Sequence, residues 1–294
     1  MFNILSFMNK CFLCFFLLLS SLIGCKSIEV KETVKTDILE QNSSRSNNVQ
    51  ILKKEFIIKN LNTVSHKVWV YLPPNYQNST KKYPVIYMHD AQNLFDAKTS
   101  YAGEWNVDET LNNYYKTSKK GFIVVGVENG GEKRIEEYTP WPNKKYGGGK
   151  EAIYIDFLVN ELKPYIDENY RTKTKARHTA IIGSSLGGLI SFYGGLKYPD
   201  VFGKIGALST SFWFSNNSYA FVSRNNNTKN TKLYLLIGSK EGGSMVSDTE
   251  KMKQLLLDNG FPKESLKKKI VADGKHTESF WKDEFLETIL FLYK

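Results

Sequence analysis

What the chain has little of narrows its chemistry first. It holds three cysteines in 294 residues, Cys11, Cys14 and Cys25, and none beyond position 25. The main body of the chain can therefore make no internal disulfide. Histidine occurs four times, at positions 66, 89, 178 and 276, never clustered. Dispersed histidines without cysteine partners argue against a metal centre, and none is expected. The formal charge is +10, yet the lysines are scattered, and there is no basic helix or RNP-like aromatic cluster to support a nucleic-acid partner. The stretch YGGGKEA (146–152) lacks both the spacing of a phosphate-binding loop and its hydroxyl residue after lysine. No cofactor is expected.

The N-terminal apolar run, Cys11 to Gly24, has 14 residues, too short to span a bilayer comfortably. Lys10 precedes it and small residues close it, the pattern of an export signal over residues 1–24. The ending Leu22-Ile23-Gly24-Cys25 resembles the lipobox of bacterial lipoproteins, in which the cysteine is acylated. That resemblance implies a lipid anchor on Cys25, a membrane contact through it, and residence in a bacterial cell envelope. Residues 25–50 are polar and lack a sustained apolar period, so they are expected to form a flexible tether.

From residue 51 to 294 apolar runs alternate with amphipathic stretches. EFIIK and KVWVYL read as a leading hairpin, with Pro73-Pro74 stopping the second strand. YPVIYM (83–88), GFIVVGV (121–127), HTAIIG (178–183), GKIGALS (203–209), KLYLLIG (232–238) and KKIVAD (268–273) read as strands. Helices are expected around 106–116, 153–170 (kinked or divided by Pro164), 186–197, 247–259 and 278–292. Strands separated by helices imply one α/β domain with a mostly parallel central sheet and helices on both faces.

In such a sheet the site lies beyond the carboxyl ends of the strands. Gly183-Ser184-Ser185-Leu186-Gly187 falls between a strand and a helix, where a nucleophile elbow would hold Ser185 on a sharp turn. The pentapeptide pattern alone is weak evidence; its strand–turn–helix context is what makes Ser185 the candidate nucleophile. The base should come from a histidine at the same edge. His66 and His178 are at the wrong places, whereas His89 and His276 each follow a strand. The order nucleophile, acid, histidine along the chain favours His276. Glu241, three residues past KLYLLIG, is the first choice for the acid; Asp248 and Asp273 compete for the role. The oxyanion donors would be the N–H of Leu186 and that of Ala91 or Gln92.

These stretches resemble the esterase branch of the α/β-hydrolases, which includes enterochelin, feruloyl and acetyl-xylan esterases and S-formylglutathione hydrolase. YPVIYMHDAQNLFD, EWNVDE, VGVENGGEKRIEEYTPW, DFLVNELKPYIDENYRT, IIGSSLGGLIS, YPDVFGKIGALSTSFWF, LLIGSKEG and GKHTESFWKDEF carry the likeness, in family order, over about residues 55–294. The resemblance implies the α/β-hydrolase fold and hydrolysis of a small-molecule or glycan ester, with Ser185, His276 and Glu241 as the catalytic set. It also implies that Glu104, Trp105, Glu137, Tyr138 and Trp141 line the substrate cleft. Some siderophore esterases of the family use a Ser–His dyad, which would leave Glu241 dispensable. A non-catalytic binding protein and an acyltransferase are the alternatives on the same fold.

Overall fold

The computed structural model describes residues 43–59, 61, 65–225 and 231–294. The expected signal segment, the Cys25 anchor and residues 26–42 of the expected tether lie outside the described residues.

The described chain opens with short strands β1 (Val49–Ile51), β2 (Phe56–Ile57), β3 (Ser65–His66) and β4 (Val68–Tyr71). Next come β5 (Val85–His89), helix α1 (Val107–Ser118), β6 (Ile123–Val127), and helices α2 (Arg134–Tyr138), α3 (Glu151–Phe157) and α4 (Lys163–Asn169). Four strand–helix units complete it: β7 (Thr179–Ser184) with α5 (Leu186–Lys197), and β8 (Lys204–Leu208) with α6 (Asn217–Arg224). The last two are β9 (Lys232–Gly238) with α7 (Met245–Asp258), and β10 (Leu266–Val271) with α8 (Glu278–Tyr293).

Eight strands form one sheet in the order β1-β4-β6-β5-β7-β8-β9-β10. The pairings of β4 with β1 and with β6 are antiparallel, and every other pairing is parallel. Strands β5 to β9 are buried on both faces, as their apolar runs require, whereas β10 (LKKKIV), at the edge of the sheet, is only half-buried. Alternation along β7 divides the core in two. Ile181 packs with Leu189, Ile190 and Phe192 of α5 on one face; Ala180 and Ile182 pack with Phe285, Ile289 and Leu292 of α8 on the other. Each of those α8 side chains is fully buried, so its truncation to alanine is worth roughly 2–5 kcal/mol.

Two expectations need correcting. The tether does not run to residue 50: Val49 is buried and pairs with Tyr71, and Ser43, Ser44 and Ser46 bond to acidic side chains in the body of the domain. The leading hairpin exists, but its partner strand is β3 (Phe56 faces His66), while KVWVYL pairs with β1 and β6 instead. The expected division of the helix over 153–170 is present: α3 and α4 are joined by a π-helical turn at Leu158–Leu162. Pro164 at the start of α4 has no N–H for the preceding turn, and the wider turn ahead of it absorbs the mismatch.

Candidate active site

Parallel register brings the carboxyl ends of the central strands to one edge. Ser184 pairs with Leu208, and Gly238 with Val271. Ser185 follows β7 at the N-cap of α5 with φ 58° and ψ −121°, a left-handed value that a side-chain-bearing residue adopts at a cost. The turn is tight enough that a Cβ on Gly183 would stand 2.5 Å from the Gly187 carbonyl oxygen, so glycine is required there. The Ser185 N–H donates to Leu208 O, and the Ser211 N–H donates back to Ser185 O. The Ser185 hydroxyl lies 3.4 Å from that of Ser211.

His276 sits in the loop between β10 and α8, and Glu241 just past β9. The two are 2.8 Å apart, from Nδ1 to Oε2. The carboxylate has no solvent exposure, while the imidazole is 36% exposed. Glu241 Oε1 accepts the Gly238 N–H at 2.8 Å and the Ser209 hydroxyl at 2.5 Å. Ser209 in turn accepts the Trp281 indole N–H at 2.7 Å, and the Trp281 ring stands edge-on to His276 with centroids 5.0 Å apart. The acid is thus held by three donors, and the ring it orients is braced by the residue that begins the chain of hydrogen bonds. An ionised carboxylate only accepts, so Nδ1 carries the proton and Nε2 is left as the basic nitrogen.

Ser185, His276, Trp281 and Trp105 line one cleft of about 820 Å³ together with His89, Asp90, Gln92 and Arg134. Leu186 is the first residue of α5, so its N–H has no acceptor within the helix. The loop after β5 makes a one-turn helix, Ala91–Asn93, in which the first internal donor is the Asn93 N–H. Of the two expected donors there, Gln92 lines the cleft while the Ala91 side chain is fully buried against the core.

Several residues beside the cleft escaped the sequence reading. Asp90 takes a left-handed conformation, and its carboxylate receives Arg134 Nε at 2.7 Å, Arg134 Nη2 at 2.8 Å and Asn129 Nδ2 at 2.6 Å. Burial alone would raise this carboxyl, but the Arg134 guanidinium and the Asn129 amide outweigh it and hold it below the usual carboxylate range. Next to it His89 is buried, with Nδ1 2.8 Å from the Tyr154 hydroxyl. Burial pushes its imidazole down to about 4, with Asp90 drawing it up and Arg134 down, so the ring is neutral near pH 7. Asp90, Arg134 and Trp281 all lie in stretches that follow strand ends, which was the available signal. Nothing in the residue types announced their pairing.

The structure separates other expected residues from the cleft. Trp105 lines it, packed on Trp281. Glu104 does not; it points to Ser44. Tyr138 is fully buried behind the wall, its hydroxyl accepting the Asp90 N–H. Trp141 packs on Tyr193 and Phe221. Glu137 is buried against His66 at 2.8 Å. Glu104, Glu137, Tyr138 and Trp141 are thus not among the residues lining this cleft. Asp248 bonds to Tyr219 and Ser244 at the start of α7, and Asp273 is exposed beside Lys240, so neither orients His276.

A family model described as "Putative esterase" matches residues 61–292. The uncharacterized protein YbbA of Bacillus subtilis (strain 168) is 29% identical over 238 residues, covering 76% of this chain and 91% of that protein. Among solved structures, the BES protein from Bacillus cereus superposes with a TM-score of 0.67 at 21% identity, over 85% of this chain and 96% of that one. The enterobactin esterase FES from Shigella flexneri gives a TM-score of 0.69 at 17% identity, over 85% of this chain and 60% of that one.

Proposed function

The chain belongs to this esterase family and is an ester hydrolase, and from that premise we propose a serine mechanism acting on a small ester through an acyl-enzyme. Ser185 Oγ attacks the ester carbonyl while its proton passes to His276 Nε2. The negative charge that forms on the carbonyl oxygen is met by the N–H groups of Leu186 and Gln92. Collapse expels the alcohol, which takes the proton from His276. Water then enters, loses a proton to the same nitrogen and releases the acid, restoring the Ser185 hydroxyl. Glu241 fixes the tautomer and stabilises the imidazolium without taking its proton.

The observation that supports this reading is the 2.8 Å His276–Glu241 pair opening onto the same cleft as a serine held at positive φ. The substrate class we propose is the siderophore, feruloyl or acetyl-sugar ester type, for which a cleft walled by Trp105, Trp281 and Arg134 offers both ring stacking and charge. We further propose that acylated Cys25 tethers the enzyme to the cell envelope. No helix among the described residues is long and apolar enough to cross a membrane.

Labelling with a fluorophosphonate followed by peptide mapping tests the mechanism. Label on Ser185, absent in Ser185→Ala and lost in His276→Ala, is the expected result. A folded protein that takes no label sinks the mechanism and leaves a non-catalytic binding role. Labelling without hydrolysis, but with transfer to an added alcohol, would make the enzyme an acyltransferase.

A further inference from the structure

The segment that follows β8 touches both ends of the proposed catalytic set, Glu241 and Ser185. Ser209, at φ 45°, gives its hydroxyl to Glu241 and its N–H to Leu236 O. Two residues on, Ser211 gives its N–H to Ser185 O, and its hydroxyl lies 3.4 Å from the Ser185 hydroxyl. Thr210 packs between them against the start of α5, where a Cβ on Gly188 would stand 2.9 Å from Thr210 Oγ1. None of the three is more than 1% exposed.

A serine just ahead of a helical turn is ordinarily explained as its N-cap. Ser211 holds that position before the turn Phe212–Phe214, yet its side chain makes no capping bond. Its hydroxyl meets the nucleophile instead, and has no other hydrogen-bond partner among the described residues. Ser185 Oγ has one proton and two lone pairs. In the serine mechanism, on which this inference rests, that proton goes to His276 Nε2. Towards Ser211 the Ser185 oxygen can then only accept, and the Ser211 hydroxyl must donate. At 3.4 Å the bond is long for two neutral hydroxyls, as catalytic hydrogen bonds often are before substrate binds. Negative charge on the acceptor makes such a bond charge-assisted, which shortens and strengthens it.

We propose that Ser211 is a further catalytic residue, whose hydroxyl donates to Ser185 Oγ whenever that oxygen carries negative charge. In acylation the Ser185 proton passes to His276 Nε2, while the Ser211 proton stays on its own oxygen and meets the charge building on Oγ. In the acyl-enzyme Oγ is an ester oxygen, a weak acceptor, and the contact relaxes. In deacylation the bond from the acyl carbon to Oγ breaks, and Oγ departs with the electron pair. The same donor meets it there until His276 returns the proton. One hydroxyl thus serves both half-reactions. Through Ser209 and Ser211 the end of β8 also holds acid and nucleophile at a set spacing.

Hydrolysis of p-nitrophenyl acetate and the rate of fluorophosphonate labelling, measured on the full chain and on Ser211→Ala, Ser211→Cys and Thr210→Val, test the assignment. Ser211→Ala should lower kcat and kcat/KM together by about tenfold or more, with KM and Tm little changed and labelling slowed by a similar factor. Ser211→Cys keeps the size but offers a weaker donor, so it should also be slowed, and it carries the comparison should the alanine variant not fold. Thr210→Val removes a neighbouring buried hydroxyl that has no partner, and should keep the parent rate. A folded Ser211→Ala with parent kcat, a loss confined to KM, or an equal loss in Thr210→Val overturns the role of Ser211 while the serine mechanism stands. A parent protein that takes no label overturns the mechanism, and the role of Ser211 with it.

Discussion

The molecule contains two histidine–carboxylate pairs of the same length. His276 meets Glu241 at 2.8 Å, and His66 meets Glu137 at 2.8 Å. In each, the carboxylate is wholly buried and also accepts a backbone N–H, from Gly238 or from Gly130. They differ in where the ring stands. His276 is in a loop at the carboxyl edge of the sheet, 36% exposed and on the cleft wall. His66 is on β3 and is 1% exposed, with one ring nitrogen shielded and unpartnered. On the mechanism proposed above only the first pair is catalytic, so a buried acid beside an imidazole is not in itself a catalytic device. Access of the second ring nitrogen to a nucleophile makes the difference, and strand topology decides that access.

Mutation can break the comparison. His276→Ala should lower kcat for a chromogenic short-chain ester by about 10⁴-fold or more, with little change in Tm. A residual rate within tenfold of the parent would remove His276 from the mechanism. His66→Leu should do the reverse. It strips the buried Glu137 of its imidazole partner and should cost on the order of 3 kcal/mol in chemical denaturation, with the rate per folded molecule unchanged. Loss of activity without loss of stability would mean the two pairs are not functionally distinct.

His89 sharpens the comparison because it lies on the cleft wall yet has no carboxylate bonded to its ring. Its imidazole, held at about 4 in the folded state against an ordinary value near 6.5, binds a proton more readily when the chain is unfolded. The resulting stability is present above pH 6.5 and is lost as pH falls towards 4, by about 3 kcal/mol in all. The difference between parent and His89→Asn, measured by denaturant melts across that range, should carry this slope; parallel curves would refute it. The smallest effect is expected at Ser209→Ala, which removes one of three donors to Glu241 and the acceptor of Trp281. A loss of about 1 kcal/mol in transition-state stabilisation, read as a fivefold fall in kcat/KM, is the expected outcome.

The parts of the fold legible in the sequence were those in which local pattern and burial coincide. Strands β5 to β9 are apolar runs closed by turns, and the order of the strands along the chain put Ser185 after β7, Glu241 after β9 and His276 after β10. What could not be read depends on distant partners. Val49 looks like part of a polar segment, and its strand exists because Tyr71 and Trp69 offer an edge to pair with. Ser43 and Ser44 are ordered by Asp96 and Glu104, more than fifty residues away. The Asp90–Arg134 pair joins the turn after β5 to the start of α2, and no period in either stretch encodes it. The resemblance implies Tyr138 and Trp141 as cleft residues, yet neither lines the cleft, because aromatics serve both in clefts and in the core behind them.

The backbone contact between the loops after β9 and β10 has a consequence for how this enzyme could change. A Cβ at Gly238 would collide with the Gly274 carbonyl, and the Lys240 N–H and Ser239 hydroxyl tie the same two loops together. Glu241 and His276 therefore ride on two loops held together as one block, with no room for a side chain at Gly238. The opposite side of the cleft carries Gln92, Asn93, Tyr101, Ala102, Asn129 and Arg134, which stand outside that contact. Substitutions at those positions would reshape the cleft without disturbing the Glu241–His276 block, so that chemistry and specificity fall to different stretches of chain.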